Sequence, residues 1–336
     1  MTEQEVRQLA ADGRWRRRPL RAEYVETHIS WVLLSGRNAF KIKKPVRFSF
    51  ADFSSLRKRR YFCRRELQLN RRYTHIYQDV APVRWNGNTF SIGPGGGRIV
   101  DYAVVMRRLA SARRMDRMLR QGIVTPGAIR SLAETVAHFH ERAAPVDDGF
   151  DAGFYRENFK DILTVGPIIR KHAGQKYMRI IRNAIQWVEH ILKVYAADFR
   201  ERARAGYRRD LHGDLHSGNI FLYRKPILFD CIEFNDLFRY MDVLDEIALL
   251  SMDLQAYEAP SLADEFIGAY LGRFPCLLTS SDEIQFRFYQ CYRANVRAKV
   301  LALASDAHEG GGRHEAVQDM LRYLRVIDDH IRAESW

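Results

Sequence analysis

The sequence predicts an α+β protein with a two-lobed fold: a small antiparallel β-sheet with one helix over residues 1–106, then a mainly helical lobe over residues 107–336. Three observations predict it. Between residues 24 and 106, short runs rich in β-branched and aromatic residues are broken by turn signals, as strands are. From Thr125 onward, apolar residues recur at three- and four-residue spacing, as on amphipathic helices. A polar loop, Leu211-His212-Gly213-Asp214-Leu215-His216-Ser217-Gly218-Asn219, then interrupts the helices and leads into two more strand-like runs.

The elements follow in order. Thr2 and Glu5 form a capping box for a short first helix, and Gly13 stops it. Residues 24–26, 30–34 and 39–42 are short strands, parted by Thr27-His28-Ile29 and Ser35-Gly36-Arg37-Asn38. A helix spans 52–73, opened by Asp52 or Ser54. Residues 80–85 and 90–92 are strands around Asn86-Gly87, a hairpin signal. Gly93-Pro94-Gly95-Gly96-Gly97 lacks the Lys-Ser/Thr of a Walker A loop and reads as a turn. Residues 99–106 are the last strand of the sheet.

In the second lobe Thr125 and Pro126 are a cap and a first-turn proline. That helix carries Ile129, Leu132, Val136 and Phe139, and His138 and His140 near its end read as packing or capping residues. Residues 155–204 supply one or two further helices. Residues 243–254, 286–303 and 314–332 are the last three, the final one after a Glu309-Gly310-Gly311-Gly312 linker.

Composition excludes several classes. With 336 residues, 46% apolar and 28% charged, the chain reads as an ordinary globular protein with a sizeable core. It has no apolar run of about 18 residues, so no membrane span is expected, and no secretory leader pattern. Four scattered cysteines without a C-x-x-C pair argue against structural zinc and fit a cytoplasmic setting. The net charge of +13 is densest at Trp15-Arg16-Arg17-Arg18, Arg57-Lys58-Arg59-Arg60 and Arg64-Arg65. No zinc finger or RNA-binding motif accompanies these runs, so they read as solvated basic faces and nucleic acid is not an expected partner.

The chemistry concentrates after residue 210. Asp214 precedes the amide Asn219 by five residues, and Asp230 ends a short apolar run. Residues 220–223 and 227–229, joined by Arg224-Lys225-Pro226, would hold Asn219 and Asp230 at the two ends of a hairpin. Oxygen ligands of this kind suit Mg²⁺. Asp214 is placed to accept a proton from a hydroxyl nucleophile.

His212-x-Asp214-x-x-x-x-Asn219, with Asp230 eleven residues on, keeps the spacing of the protein-kinase catalytic loop, with Gly213 where protein kinases have Arg. In this form, and in its continuation Asp230-Cys231-Ile232-Glu233-Phe234-Asn235-Asp236 and Arg239-Tyr240-Met241-Asp242-Val243, the chain resembles the aminoglycoside phosphotransferase-like and choline kinase-like small-molecule kinases. Some members of the bacterial subgroup it resembles carry an extra P-loop domain.

The resemblance implies a protein kinase-like fold, ATP and Mg²⁺ as cofactors, and a small-molecule hydroxyl as phosphate acceptor. It implies Asp214 as the catalytic base, and Asn219 and Asp230 as metal ligands. Asn38-Ala39-Phe40-Lys41 matches the V-A-I-K strand, which gives Lys41 to the nucleotide phosphates, with Lys43 on the same face as the alternative. Glu66 would pair with that lysine. Met106, at the end of the strand, and the hinge Arg107-Arg108-Leu109 after it would bind the nucleotide, the hinge backbone meeting the adenine edge. Asp242 opens the helix over 243–254 and would bond the catalytic loop, with a plain helix cap as the alternative. Arg293 and Arg297, on one face of a mostly apolar helix, need partners; either an anionic substrate group or a structural salt bridge would serve. Their presence, and the lack of an acidic cluster, favour a neutral or anionic acceptor over a polycationic antibiotic. A catalytically silent nucleotide-binding regulator of the same fold is the alternative.

Overall fold

The first helix, α1 (Glu3–Asp12), begins as its capping box requires. Thr2 Oγ1 accepts from the Glu5 amide at 3.3 Å and Glu5 returns a carboxylate to the Thr2 amide at 2.7 Å, a device that contributes about 1 kcal/mol. Gly13 ends it because a Cβ there would lie 2.3 Å from the Leu9 carbonyl oxygen.

Eight strands follow: β1 (Arg14–Trp15), β2 (Arg18–Pro19), β3 (Glu23–Glu26), β4 (Ser30–Ser35), β5 (Asn38–Lys43), and, after helix α2 (Leu56–Asn70), β6 (Tyr77–Trp85), β7 (Phe90–Ile92) and β8 (Arg98–Arg107). They form one sheet in the order β2-β1-β7-β6-β8-β5-β4-β3. The pairings are antiparallel except β1 with β7, which is parallel. The sheet is antiparallel as expected apart from that one contact, and β1 and β2 are two-residue strands too short to show alternation. Their turn, Arg16-Arg17, has both φ angles positive (48° and 68°) without the usual Gly or Asn.

Alternation along β5 sorts the sheet's faces. Phe40 and Ile42 enter a core with Val6, Leu9, Leu33, Val83, Ala103 and Val105. Ala39, Lys41 and Lys43 point the other way, where Ala39 packs with Cys63 of α2, Ile76, Tyr77, Val104 and Met106.

The remaining elements are α3 (Met115–Arg120), α4 (Pro126–Arg142), α5 (Ala152–Lys160), α6 (Gly166–Ala173), α7 (Gln175–Val194), α8 (Ala196–Arg204), β9 (Arg208–Asp210), β10 (Ile220–Phe221), β11 (Ile227–Leu228), β12 (Tyr240–Asp242), α9 (Val243–Ala256), α10 (Pro260–Arg273), α11 (Ser280–Ala307) and α12 (Gly310–Ala333). The structure is a computed structural model and describes residues 1–48, 51–147, 149–307 and 310–333. Four helices stand where the sequence suggests one or two between 155 and 204. Gly166-Pro167 opens one, and Gly174, at φ 84°, separates two. The expected glycine linker is in part helix: Gly310–Gly312 form the first turn of α12, while Glu309 lies outside the described residues.

The chain forms two units, residues 1–113 with 227–238, and residues 114–226 with 239–336. Residues 227–238, placed by the sequence reading in the helical lobe, thus pack with the sheet unit. Their acids Asp230, Glu233 and Asp236 are bonded there to Lys41, Lys43 and Arg65. In the helical unit α9, mostly apolar but for Asp245, Glu246, Ser251 and Asp253, is buried from Val243 to Leu254. Phe199, Phe288 and Tyr289 pack edge-to-face with one another beside Tyr155. Among the described residues no helix is long and apolar enough to cross a membrane.

Candidate functional site

In the sheet unit, Lys41 and Lys43 share one buried carboxylate. Glu66 of α2 is fully buried. Its Oε1 lies 3.0 Å from Lys41 Nζ and its Oε2 2.7 Å from Lys43 Nζ. Burial alone would raise the Glu66 carboxyl, but the two ammonium groups outweigh it and hold it at about 2. The lysines then diverge. Lys43, completely buried, pairs with Glu233. Lys41 reaches Asp230 Oδ1 at 2.5 Å. Burial would depress the Lys41 ammonium, yet Asp230 and Glu66 keep it well above its ordinary value.

Asp230 is fixed from both sides. Its backbone is left-handed, at φ 64°, a strained region that Asp tolerates better than bulky residues. Its amide donates to the Tyr77 hydroxyl oxygen at 3.0 Å, and the next amide, of Cys231, donates to Asn70 Oδ1 at 2.9 Å. With Oδ1 on Lys41, the half-exposed carboxylate keeps Oδ2 as an acceptor. Beside these groups Val32, Leu34, Leu109, Ile227 and Phe229 are partly buried against Ala39 and Met106. The expected hinge is partly spent: the Arg107 amide donates to the Ile76 carbonyl at 2.9 Å and that of Arg108 to the Arg37 carbonyl at 2.8 Å.

In the helical unit the loop after β9 holds Asp214 and Asn219. Asn219 Nδ2 donates to the Asp214 carbonyl at 2.9 Å and to its Oδ2 at 3.2 Å, which leaves the Asn219 carbonyl oxygen as an acceptor. His216 Nε2 lies 3.5 Å from Asp214 Oδ2. Burial would raise the Asp214 carboxyl, but His216 and then Arg297 outweigh it and hold it well below the usual carboxylate range. Gly213 has φ 88°, which explains glycine where protein kinases have arginine.

Two expectations are corrected here. Asp242 does not reach the loop. It caps α9 through the Leu244 amide at 2.8 Å, and it takes Arg202 in a two-bond pair at 2.9 Å each. The loop's acceptor is Glu246, one turn on, whose Oε1 receives the amides of His212 (2.8 Å) and Gly213 (2.7 Å) while Oε2 meets His140 Nε2 at 2.8 Å. His140 is therefore a bridge, its Nδ1 lying 2.7 Å from the Tyr270 hydroxyl. Arg293 is the second correction. It is buried, bonded to Asp245 at 2.5 Å and to the Gly213 carbonyl at 3.4 Å, so the salt-bridge alternative holds and the substrate role does not. Arg297 stays half-buried with Nη1 3.3 Å from His216 Nε2.

Sequence reasoning missed Glu233, Tyr77, Asn70 and Glu246. Only Glu246 carried a signal, as an acid in the first turn of a helix that is mostly apolar. Asp230 Oδ2 and Asn219 Oδ1 are hard oxygen donors suited to Mg²⁺. Among the described residues, no group of three or more His, Cys, Asp or Glu gathers as a metal cage. Mg²⁺ commonly takes one or two protein ligands and fills the rest with water and phosphate.

No protein-family model matches the chain. It is 33% identical over 315 residues to uncharacterized proteins of Mycobacterium bovis and Mycobacterium tuberculosis. The match covers 91% of this chain but 59% of each relative, so the chain spans less than two thirds of the curated relatives it matches. Among solved structures, it is similar to a choline/ethanolamine kinase family protein from Mesorhizobium loti (TM-score 0.50, 15% identity, 93% of this chain and 91% of that one). It is also similar to choline kinase from Cryptosporidium parvum (TM-score 0.51, 12%, 94% and 90%), and to a thermostable mutant of an aminoglycoside phosphotransferase (TM-score 0.50, 11%, 93% and 94%). The chain has the protein kinase-like fold of these structures.

Proposed function

We propose that the chain is a phosphotransferase that moves the γ-phosphoryl group of ATP to a hydroxyl of a small molecule. The observation that carries this reading is Lys41, held between Glu66 at 3.0 Å and Asp230 at 2.5 Å. A lysine steadied by a helix glutamate beside a metal-binding aspartate is the phosphate-handling set of kinase-like enzymes. The fold of the structural neighbours supports it.

In this reading Lys41 binds nucleotide phosphates, and Lys43 neutralises Glu233 and keeps Glu66 ionised. Adenine lies on the apolar surface of Val32, Ala39, Met106, Leu109, Ile227 and Phe229. The Leu109 amide is offered to its edge, since the Arg107 and Arg108 amides are spent. Asp230 and Asn219 are the protein ligands for Mg²⁺, which when bound neutralises charge on the phosphate oxygens. Asp214, held ionised, orients the acceptor hydroxyl and takes its proton late. A loose phosphoryl-transfer transition state asks for positioning more than for a strong base.

Two variants test this reading. A ligand that binds only the folded state raises the melting temperature. Wild-type protein should therefore melt higher with Mg²⁺ and a non-hydrolysable ATP analogue, and Asp230→Ala should lose the shift. Asp214→Ala should keep the shift but lose turnover by about 10²–10⁴-fold. No shift in the wild type with any nucleotide would sink the reading and favour a silent regulator.

A further inference from the structure

α11 carries Arg293 and Arg297 four residues apart, and their surroundings are opposite. Arg293 is satisfied by Asp245 and the Gly213 carbonyl. Arg297 is not: its Nε is buried without a hydrogen-bond partner. Its Nη1 contact with His216 Nε2, at 3.3 Å, cannot be an ordinary hydrogen bond. His216 Nδ1 already accepts the Gly218 amide at 3.1 Å, so a ring proton must sit on Nε2, and a guanidinium has only donors. Two donors face each other.

The other neighbours satisfy the fork only in part, and Nε stays without a partner. The guanidinium lies over the Tyr323 ring, 5.6 Å from its centroid, and the Tyr323 hydroxyl oxygen is near enough to take one of its N–H groups. Asp253 is occupied, taking the Tyr323 hydroxyl at 2.5 Å and the Ser217 amide at 2.6 Å. Asp214 attracts the guanidinium through space, while its Oδ2 takes Asn219 and faces His216. A half-buried guanidinium with open donors is costly until an anion meets it. Its planar fork matches a carboxylate or a phosphate group.

We propose that Arg297 anchors an anionic group of the acceptor, so that the molecule phosphorylated beside Asp214 is a hydroxy acid or an anionic polyol and not a cation. The proposal rests on the phosphotransfer reading of Asp214. It gives Arg297 the substrate role that Arg293 does not have.

The test is calorimetric titration, which needs no turnover. The probes are D-glycerate, D-gluconate and glycerol 3-phosphate as anions, glycerol and D-glucose as neutral polyols, and choline as a cation. They are titrated into the wild type, Arg297→Gln and Arg297→Lys. At least one anion should bind the wild type better than every neutral or cationic probe. Its affinity should fall at least about tenfold in the glutamine variant and less in the lysine variant, which keeps charge but not the fork. Binding of choline or a neutral polyol at equal strength, anion binding that survives Arg297→Gln, or no binding of any anion would each overturn the proposal. If the glutamine variant does not fold, the loss in the lysine variant carries the test. A parallel titration with Mg²⁺ and the ATP analogue separates the two readings. A drop in nucleotide affinity on Arg297→Gln would give the arginine to the nucleotide and overturn the proposal. A wild type that binds an anion but no nucleotide would sink the phosphotransfer reading alone.

Discussion

Glu66 concentrates the electrostatics of the sheet unit in one residue. Its carboxyl is held at about 2, below its ordinary 4.5, by Lys41 and Lys43 against the opposing effect of burial. A group depressed in the folded state contributes stability that is complete above the unfolded value and is lost as pH falls through the folded one. The contribution of Glu66 is therefore present above pH 4.5 and disappears toward pH 2. Urea midpoints measured between about pH 5 and about pH 2.5 should fall more steeply for wild type than for Glu66→Gln. Parallel curves would show that Glu66 is not the group that titrates. Lys41 and Glu66 were legible in the sequence, because strand alternation and a helix of the right length place them. Glu233 was not. It meets Lys43 across 190 positions of sequence, and no local pattern reports a partner so distant. Arg293 and Arg297 were legible only as a pair in need of partners; which of them had one depends on Asp245, on a different helix.

At the scale of elements, α9 does the most to set the loop. It is mostly apolar and wholly buried from Val243 to Leu254, yet it carries three acids, Asp245, Glu246 and Asp253. Each is spent on a different neighbour: Arg293, the loop amides with His140, and Ser217 with Tyr323 of α12. Burial pushes the Glu246 carboxyl up, but His140 and the loop bring it below its ordinary value. Glu246→Ala would leave two amides and an imidazole nitrogen unpaired in the interior. It should cost about 3–5 kcal/mol, the range for removing one partner of a buried charged pair, read as a lower urea midpoint at unchanged slope. A cost under about 1 kcal/mol would mean that water replaces the carboxylate. The helix itself was plain in the sequence, and Asp242 was correctly its cap. The loop-binding role shifted by one turn because the capping signal and the loop-binding signal are both acids near a helix start. The β1–β2 hairpin was missed for a simpler reason, since Arg16-Arg17 is no turn signature.

For the whole molecule, the sheet unit is discontinuous in sequence: residues 227–238 complete what residues 1–113 begin. Without that segment Lys41 and Lys43 would share Glu66 alone, and burying an unpaired ammonium is costly. A fragment of residues 1–113 should therefore show no cooperative thermal transition, and a peptide of residues 227–238 added to it should restore part of one. A fragment that melts like the intact protein would show that the two lysines do not need Asp230 and Glu233. The two-lobed division was legible because strand and helix periodicities occupy different stretches of the chain. The return of residues 227–238 was not, because a strand of two residues carries no address.

That return has a consequence for recombination between related chains. A crossover placed anywhere between residues 113 and 227 would join one parent's Lys41, Lys43 and Arg65 to the other parent's Asp230, Glu233 and Asp236. Viable chimeras should be those that inherit both stretches from a single parent, or whose parents carry the same six residues. Substitutions in one stretch should be tolerated only with matching changes in the other.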